Sequence, residues 1–384
     1  MKTFQIFFTF LRLGLTSFGG PVAHIGYFRR EFVEKRYWLG DAGFADLMAF
    51  CQFLPGPSSS QLGIAIGLGR GGMSGGFAAW LGFTLPSALL MGWCGVTLAR
   101  HPAWFDGAWA HGLKLMACAV VADAVWSLGR RLAVDRAQQA LLALGLVLAL
   151  MVPGPLGQVT AMGLAALLGQ LLPVKEQPER RNPPSRLPRW VALPALALLA
   201  FGLFGLPVLA EQGGRPLVLF DAFFRAGSLV FGGGHVVLPL LRDSLVPAGL
   251  IADDQFLAGY ALAQTVPGPL FTFAAYVGAV AGGGWGGAAL CLAAIFLPSF
   301  LMLFGVMPFW HRLGRLKAVR RALLGVNAAV VGLLLAALYD PVFVTSVRSD
   351  RDFAIATLLF LLLRAGTVPV PLLVGLAALI GFVI

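Results

Sequence analysis

The residues best suited to chemistry in this sequence form a polar run behind a tight turn: Pro55, Gly56 and Pro57 are followed by Ser58, Ser59, Ser60 and Gln61. Proline lacks a backbone donor, and glycine costs about 1 kcal/mol in a helix interior relative to alanine, so the turn ends one helix and lets another begin. A helix starting there presents unpaired N–H groups and the positive end of its dipole, with three hydroxyls and an amide on its first turn. Such a set of neutral donors suits an oxyanion. The same turn recurs at Pro267-Gly268-Pro269, but Leu270, Phe271 and Thr272 follow it, so a second cradle there is poorer in donors. Two further breaks, Gly19-Gly20-Pro21 and Gly232-Gly233-Gly234, are followed by His24 and His235 at different spacings, for which hydrogen bonding is the expected role rather than metal ligation.

Charged residues inside apolar segments are the next candidates. Arg12 and Arg225 stand six residues before Phe18 and Phe231, each in a strongly apolar stretch. Two readings are open for them: a planar fork for a tetrahedral dianion, or snorkelling to the membrane interface. Lys114, whose counterpart is Asn327, is a further candidate. Asp46 and Asp123 could carry a proton in coupled transport or neutralise a buried base. Gln264 matches Gln52 just ahead of the second turn. No HExxH and no nucleophile with a base is present, so no catalytic residue is assigned. Cys51, Cys94, Cys118 and Cys291 lie in apolar stretches without CxxC spacing, and neither metal nor cofactor is expected. There is no GxxxxGK[ST], and Gly67-Leu68-Gly69-Arg70-Gly71 is a loop between apolar segments rather than a nucleotide fingerprint.

The elements that position these residues must lie in a bilayer. Of 384 residues, 58% are hydrophobic and 12% charged, with a mean hydropathy of +0.83. Soluble domains carry about 25% charged residues. The uncharged runs at 71–99, 137–174 and 255–311 exceed the roughly 20 residues that a spanning helix needs. Their apolar residues do not alternate with period 2, so helices rather than a barrel are predicted. The net charge of +11 sits in short loops, a membrane-topology signature and not a nucleic-acid face. The first 28 residues contain Arg12 and no cleavage-site pattern, so no removable signal peptide is expected.

The chain is a duplication. At an offset of 213, Phe7, Phe10, Arg12, Gly14, Phe18, Gly19 and Gly20 match Phe220, Phe223, Arg225, Gly227, Phe231, Gly232 and Gly233. At 212, Arg30, Asp41, Gln52, Pro55, Gly56, Pro57, Gly71, Gly72, Pro86 and Ser87 match Arg242, Asp253, Gln264, Pro267, Gly268, Pro269, Gly283, Gly284, Pro298 and Ser299. The predicted organisation is a first repeat at 1–172, a basic Pro-rich cytoplasmic linker with a connecting span at 173–216, and a second repeat at 217–384. Loop 29–36 carries +2 while its counterpart 241–254 carries −2, and loop 100–106 balances while 311–321 carries +5. Lys and Arg favour the cytoplasm. The swapped bias predicts an all-α polytopic membrane protein of two inverted-topology repeats with discontinuous helices or re-entrant hairpins. If 3–28 and 42–69 are hairpins returning to their own side, loops 29–36 and 70–76 are both cytoplasmic. Full spans then follow at 77–99, 107–128, 137–152, 155–172 and 190–210, with four more in the second copy. If the hairpins cross completely, the count rises.

The strings Phe18-Gly19-Gly20-Pro21 with Ala23-His24-Ile25, the Pro55-Gly56-Pro57 block, Phe231-Gly232-Gly233-Gly234-His235-Val236-Val237-Leu238-Pro239, and Pro267-Gly268-Pro269 resemble the two-domain chromate ion transporter family over essentially the whole chain. The resemblance implies export of chromate from the bacterial cytoplasm, with sulfate as the competing oxyanion. It also implies that Arg12, Gly19, Gly20, Pro55, Gly56, Pro57, Arg225, Gly232, Gly233, Gly234, Pro267, Gly268 and Pro269 are associated with transport. The expected setting is the bacterial inner membrane, with the lipid bilayer and a second copy of the chain as partners and no nucleic acid. An anion channel and a sulfate or other oxyanion transporter or antiporter are the rival readings.

Overall fold

The computed structural model describes residues 2–18, 20–101, 108–152, 155–173, 187–230, 236–310 and 316–382. In the first copy, α1 (Lys2–Thr16) and α2 (Gly20–Arg29) flank one break, and α3 (Asp41–Phe53) and α4 (Ser58–Arg100) flank the other. α1 exists because Ile6, Phe10 and Leu13 recur at helical spacing and are buried on one face. α3 stops at Leu54, which takes an extended conformation (ψ 145°), as a residue before proline must.

α4 is two helices in sequence. Gly72 (φ +64°, ψ −154°) is the one non-helical residue inside it, and there the chain reverses. Residues eight apart in a continuous helix lie about 12 Å apart along its axis, yet a Cβ on Gly67 would sit 2.3 Å from the Gly75 carbonyl oxygen. The loop predicted at 70–76 is thus reduced to a two-glycine reversal, because these small residues let the halves pack backbone to backbone. The second copy does the same. α13 (Phe273–Gly282) meets α14 (Trp285–Val306) across Gly283 and Gly284, both at positive φ.

Between these lie α5 (Ala108–Leu132), α6 (Arg136–Met151) and α7 (Pro155–Leu168). α8 (Ala192–Ala200) continues through a π-helical turn into α9 (Leu206–Gln212). α10 (Arg215–Leu229), α11 (Val237–Leu245) and α12 (Asp253–Ala263) lead into α13, whose first turn is the 3-10 segment Leu270–Thr272. After α14 come α15 (Lys317–Ala337), a turn broken at Asp340 and Pro341, α16 (Asp350–Ala365) and α17 (Val370–Gly381). Residues 174–186 of the predicted linker, residues 102–106 of loop 100–106 and residues 311–315 fall outside the described residues.

Among the described residues, five helical stretches are long and apolar enough to cross a membrane: Ser58–Arg100, which reverses at Gly72, Ala108–Leu132, Ala192–Gln212, Trp285–Phe309 and Lys317–Ser346. Ala192–Gln212 leaves most of its apolar surface uncovered, as a lipid-facing helix does.

The chain gathers into two compact units, and each draws on both copies. One holds Met1–Cys94, Lys175–Gly234 and Pro267–Val319; the other holds Gly95–Val174, His235–Val266 and Arg320–Ile384. The first is cored by Phe10, Phe28, Phe32, Phe50 and Phe83 with Met302, Leu303 and Trp310. In it, a Cβ on Gly14 would lie 2.6 Å from the Phe83 carbonyl oxygen, and one on the repeat-related Gly227 would lie 2.1 Å from that of Ile295. In the second unit, α5 packs against α12, α16 and α17, and α6 packs against α7.

Candidate functional site

Both Pro-Gly-Pro turns lie in the first unit, and each is hydrogen-bonded to the break in the other copy's first helix. The Gly56 N–H donates to the Val230 carbonyl at 2.6 Å, and the Gly268 N–H donates to the Ser17 carbonyl at 2.9 Å. Ser17 and Val230 are repeat-related, as are Gly56 and Gly268, so the two bonds are one interaction made twice. The glycines stand at φ +114° and +104°, a region that side chains with a Cβ rarely adopt. A second reciprocal relationship surrounds them. A Cβ on Gly56 would come within 3.1 Å of Ser299 Oγ, and one on Gly268 within 2.9 Å of Ser87 Oγ.

The first copy's turn opens onto a helix N-terminus. The Gln61 N–H donates to the Pro57 carbonyl at 2.9 Å, so the amides of Ser58, Ser59 and Ser60 precede the first intrahelical bond. Ser59, Ser60 and Gln61 are buried. His24, itself buried, places Nδ1 3.3 Å from Ser59 Oγ and turns its ring edge-on to Phe83, one helical turn from Ser87. Gln61 Nε2 donates to the Pro55 carbonyl at 2.6 Å, which braces the turn. Ser17 Oγ, Ser60 Oγ, Thr84 Oγ1, Ser299 Oγ, Gln61 Oε1 and His24 Nε2 are all buried without a hydrogen-bond partner. Buried polar atoms are normally paired, so an unpaired group of them beside a helix N-terminus asks for a polar ligand. Around the second copy's turn the hydroxyls are spent: Thr272 Oγ1 donates to the Pro269 carbonyl at 2.8 Å, and Ser87 Oγ, which the first copy places beside Gly268, donates to the Thr84 carbonyl at 3.1 Å.

The structure therefore seats Pro55, Gly56 and Pro57, with Ser58, Ser59, Ser60 and Gln61 behind them, against the end of α10, and Pro267, Gly268 and Pro269 against the end of α1. Gly20 opens α2 at φ +73°. Gly19, Gly232, Gly233, Gly234 and His235 lie outside the described residues. Gln264 caps α12, with Nε2 buried and unpaired. Arg12 lies on the exposed face of α1, whereas Arg225 is ion-paired with the buried Asp221 one turn earlier. The position matching Asp221 is Phe8, so the two arginines differ electrostatically. Asp46 is half-buried. Asp123 pairs with Arg364 at 3.4 Å, and Lys114 with Asp254 at 2.8 Å, both within the second unit. Sequence reasoning did not single out Ser17, Thr84, Ser87 and Ser299 as neighbours of the turns, or Asp221 as the partner of Arg225. The signal for two of them was present: a Pro-Ser pair repeated inside apolar helices at 86–87 and 298–299.

An all-α, polytopic membrane protein built from two interrupted-helix repeats is the class that this fold and site define. The sequence profile of the chromate transporter family matches residues 4–170 and 217–382, and the chain belongs to that family. Among similar proteins, a chromate transport protein of Pseudomonas aeruginosa is 33% identical over 362 residues, covering 90% of this chain and 82% of its own length. A chromate transport protein of Cupriavidus metallidurans is 30% identical over 390 residues (99% and 92%), and a probable chromate transport protein of Synechococcus elongatus is 28% identical over 385 residues (97% and 93%). No solved structure matches. The family is one of transporters, and the protein is multi-pass, of the plasma membrane in bacteria.

Proposed function

We propose that this protein exports chromate from the cytoplasm as a secondary transporter working by alternating access. The observation that carries the reading is the reciprocal joining of the two interrupted helix pairs, Gly56 to Val230 and Gly268 to Ser17, beside an N-terminus with orphaned hydroxyls. Chromate is a tetrahedral dianion. The Ser58, Ser59 and Ser60 amides and the Ser60 and Ser299 hydroxyls would donate to its oxygens without adding a countercharge that would hold it too tightly to release. Arg12 and Arg225 would attract and admit the anion from the helix ends on either side of the breaks.

Inverted topology is part of the proposal. The charge bias puts the α6–α7 connection, segment 241–254 and the chain after α15 on the extracytoplasmic side. In support, Gln158 on the first turn of α7, Arg242 and Asp243 of that segment, and Asp340 after α15 line one cavity in the second unit. A dianion leaving a negative interior gains about 2.3 kcal/mol per charge per 100 mV, or roughly 4.6 kcal/mol for two charges. Potential alone would therefore drive efflux by more than about a thousandfold.

Uptake of labelled chromate into everted vesicles, with sulfate, molybdate and phosphate as competitors and with or without imposed potential, tests substrate and driving force together. Saturable, potential-stimulated chromate uptake is expected. Uptake of sulfate in preference to chromate would reassign the substrate, and non-saturating flux would favour a channel.

A further inference from the structure

The cavity in the second unit holds about 220 Å³ and is lined by Ala149 and Leu150 of α6, Gln158 of α7, Pro239, Arg242 and Asp243 of α11, and Leu333, Ala336, Ala337 and Asp340 at the end of α15. Its acids are not balanced. Arg242, the one cation among the described residues of the lining, is held by Asp253 of α12 at 2.7 Å. Asp243 accepts only from a neutral group, the Nε2 of the buried Gln158, at 2.7 Å. Asp340 stands at the edge with its backbone in an extended break of the helix (φ −125°, ψ 116°). Among the described residues, no other charged group lines this cavity.

The duplication supplies a control inside the molecule. The residue matching the half-buried Asp243 is Glu31, which is buried and pairs with Arg36 at 2.6 Å. The same position is thus neutralised by an arginine in the first copy and left with an amide in the second, facing an open polar space. Asp243 lies in segment 241–254, outside the helices long enough to span the membrane. Burial pushes its carboxyl up, against the pull of Arg242 and Gln158, and Asp340 adds to the rise.

We propose that Asp243 is the proton-exchanging group of transport, loaded from the extracytoplasmic side through this cavity. A proton from external water binds the carboxylate oxygen not held by Gln158 and is released as the second unit returns, so that inward proton movement accompanies outward anion movement. The alternative class of ligand, a metal cation held between Asp243 and Asp340, is an outcome of the test. This inference rests on the reading of the chain as an anion exporter.

The test uses the full chain in proteoliposomes, comparing wild type, Asp243→Asn and Asp243→Glu. Chromate flux is read under a pH difference with the potential clamped to zero, and under a potential with equal pH. A difference of one pH unit is worth about tenfold per proton moved. Wild type and Asp243→Glu should respond to the pH difference, and Asp243→Asn should lose about tenfold of that response relative to its potential-driven flux. A pH response kept in Asp243→Asn, or one replaced by dependence on added Na⁺ or Mg²⁺, overturns the proposal and leaves the export reading standing. If wild type moves no chromate under either gradient, the export reading fails. Infrared difference spectra on pH change then decide the proton site: the carbonyl band of a protonated carboxyl should appear in wild type and vanish in Asp243→Asn, and its persistence in the variant overturns the assignment.

Discussion

The backbone N–H of Gly56 donates to the carbonyl of Val230 at 2.6 Å, joining the Pro-Gly-Pro turn of one sequence copy to the broken helix of the other. The Gly268 to Ser17 bond repeats it. Isologous contacts of this kind are expected of a two-fold relation between like parts, in which residue i meets j and j meets i. Here both parts belong to a single chain, and the joint is made of backbone groups that the breaks leave without helical partners.

That joint has no room for a methyl group. A Cβ on Gly56 would lie 2.5 Å from Gln61 Nε2 as well as against Ser299 Oγ. Gly56→Ala and Gly268→Ala should each cost about 1–3 kcal/mol, from strain at positive φ and overpacking. Thermal unfolding in detergent measures this, and an unchanged midpoint with full flux in either variant would show that the turn relaxes freely.

Ser60 offers the anion a hydroxyl that nothing in the resting protein uses. Ser60→Ala should raise the chromate KM by about tenfold, the worth of one hydrogen bond to a charged group, while leaving the unfolding midpoint in place. Thr272→Ala in the second copy should leave KM alone, because its hydroxyl is occupied by the Pro269 carbonyl. Vesicle uptake over a range of chromate concentrations separates the two, and equal effects would contradict an asymmetric cradle.

The two arginines should respond differently to the same substitution. Arg225→Gln leaves the buried Asp221 without its cation and should destabilise by about 1–3 kcal/mol, with Asp221→Asn in the same chain restoring the midpoint. Arg12→Gln sits on an exposed face and should spare stability. Efflux should be lost in both single variants with the protein still in the membrane. Undiminished export would remove the arginines from the transport path.

Lys114 and Asp254 make a lopsided ion pair: the ammonium is buried and the carboxylate is 52% exposed. Asp254→Asn strands a buried charge and should cost about 1–3 kcal/mol, whereas Lys114→Met, which leaves a solvated carboxylate, should be close to neutral. Midpoints measured side by side decide this, and equal losses would mean that the pair stabilises through both partners alike.

The duplication, the breaks and the apolar segments were legible in the sequence because each depends on residue type at a fixed position. Two prolines around a glycine end a helix by local chemistry alone, whereas the lone Pro86 and Pro298 stay inside α4 and α14, and an uncharged run of sufficient length seeks the bilayer in any fold. The polar run from Ser58 to Gln61 could be read as an N-terminal cradle for the same local reason. Which hydroxyls remain free was decided only by tertiary structure. Ser87 and Ser299 both follow a Leu-Pro pair inside a helix, yet Ser87 donates to the Thr84 carbonyl while Ser299 Oγ is left unpaired. Likewise Glu31 and Asp243 occupy matching places, and only the packing of α7 against α11 gives Asp243 an amide where Glu31 has an arginine. Hydrogen-bond partners across long separations are set by how helices pack, and that is why the sequence alone could identify the broken helices but not the atoms they leave free.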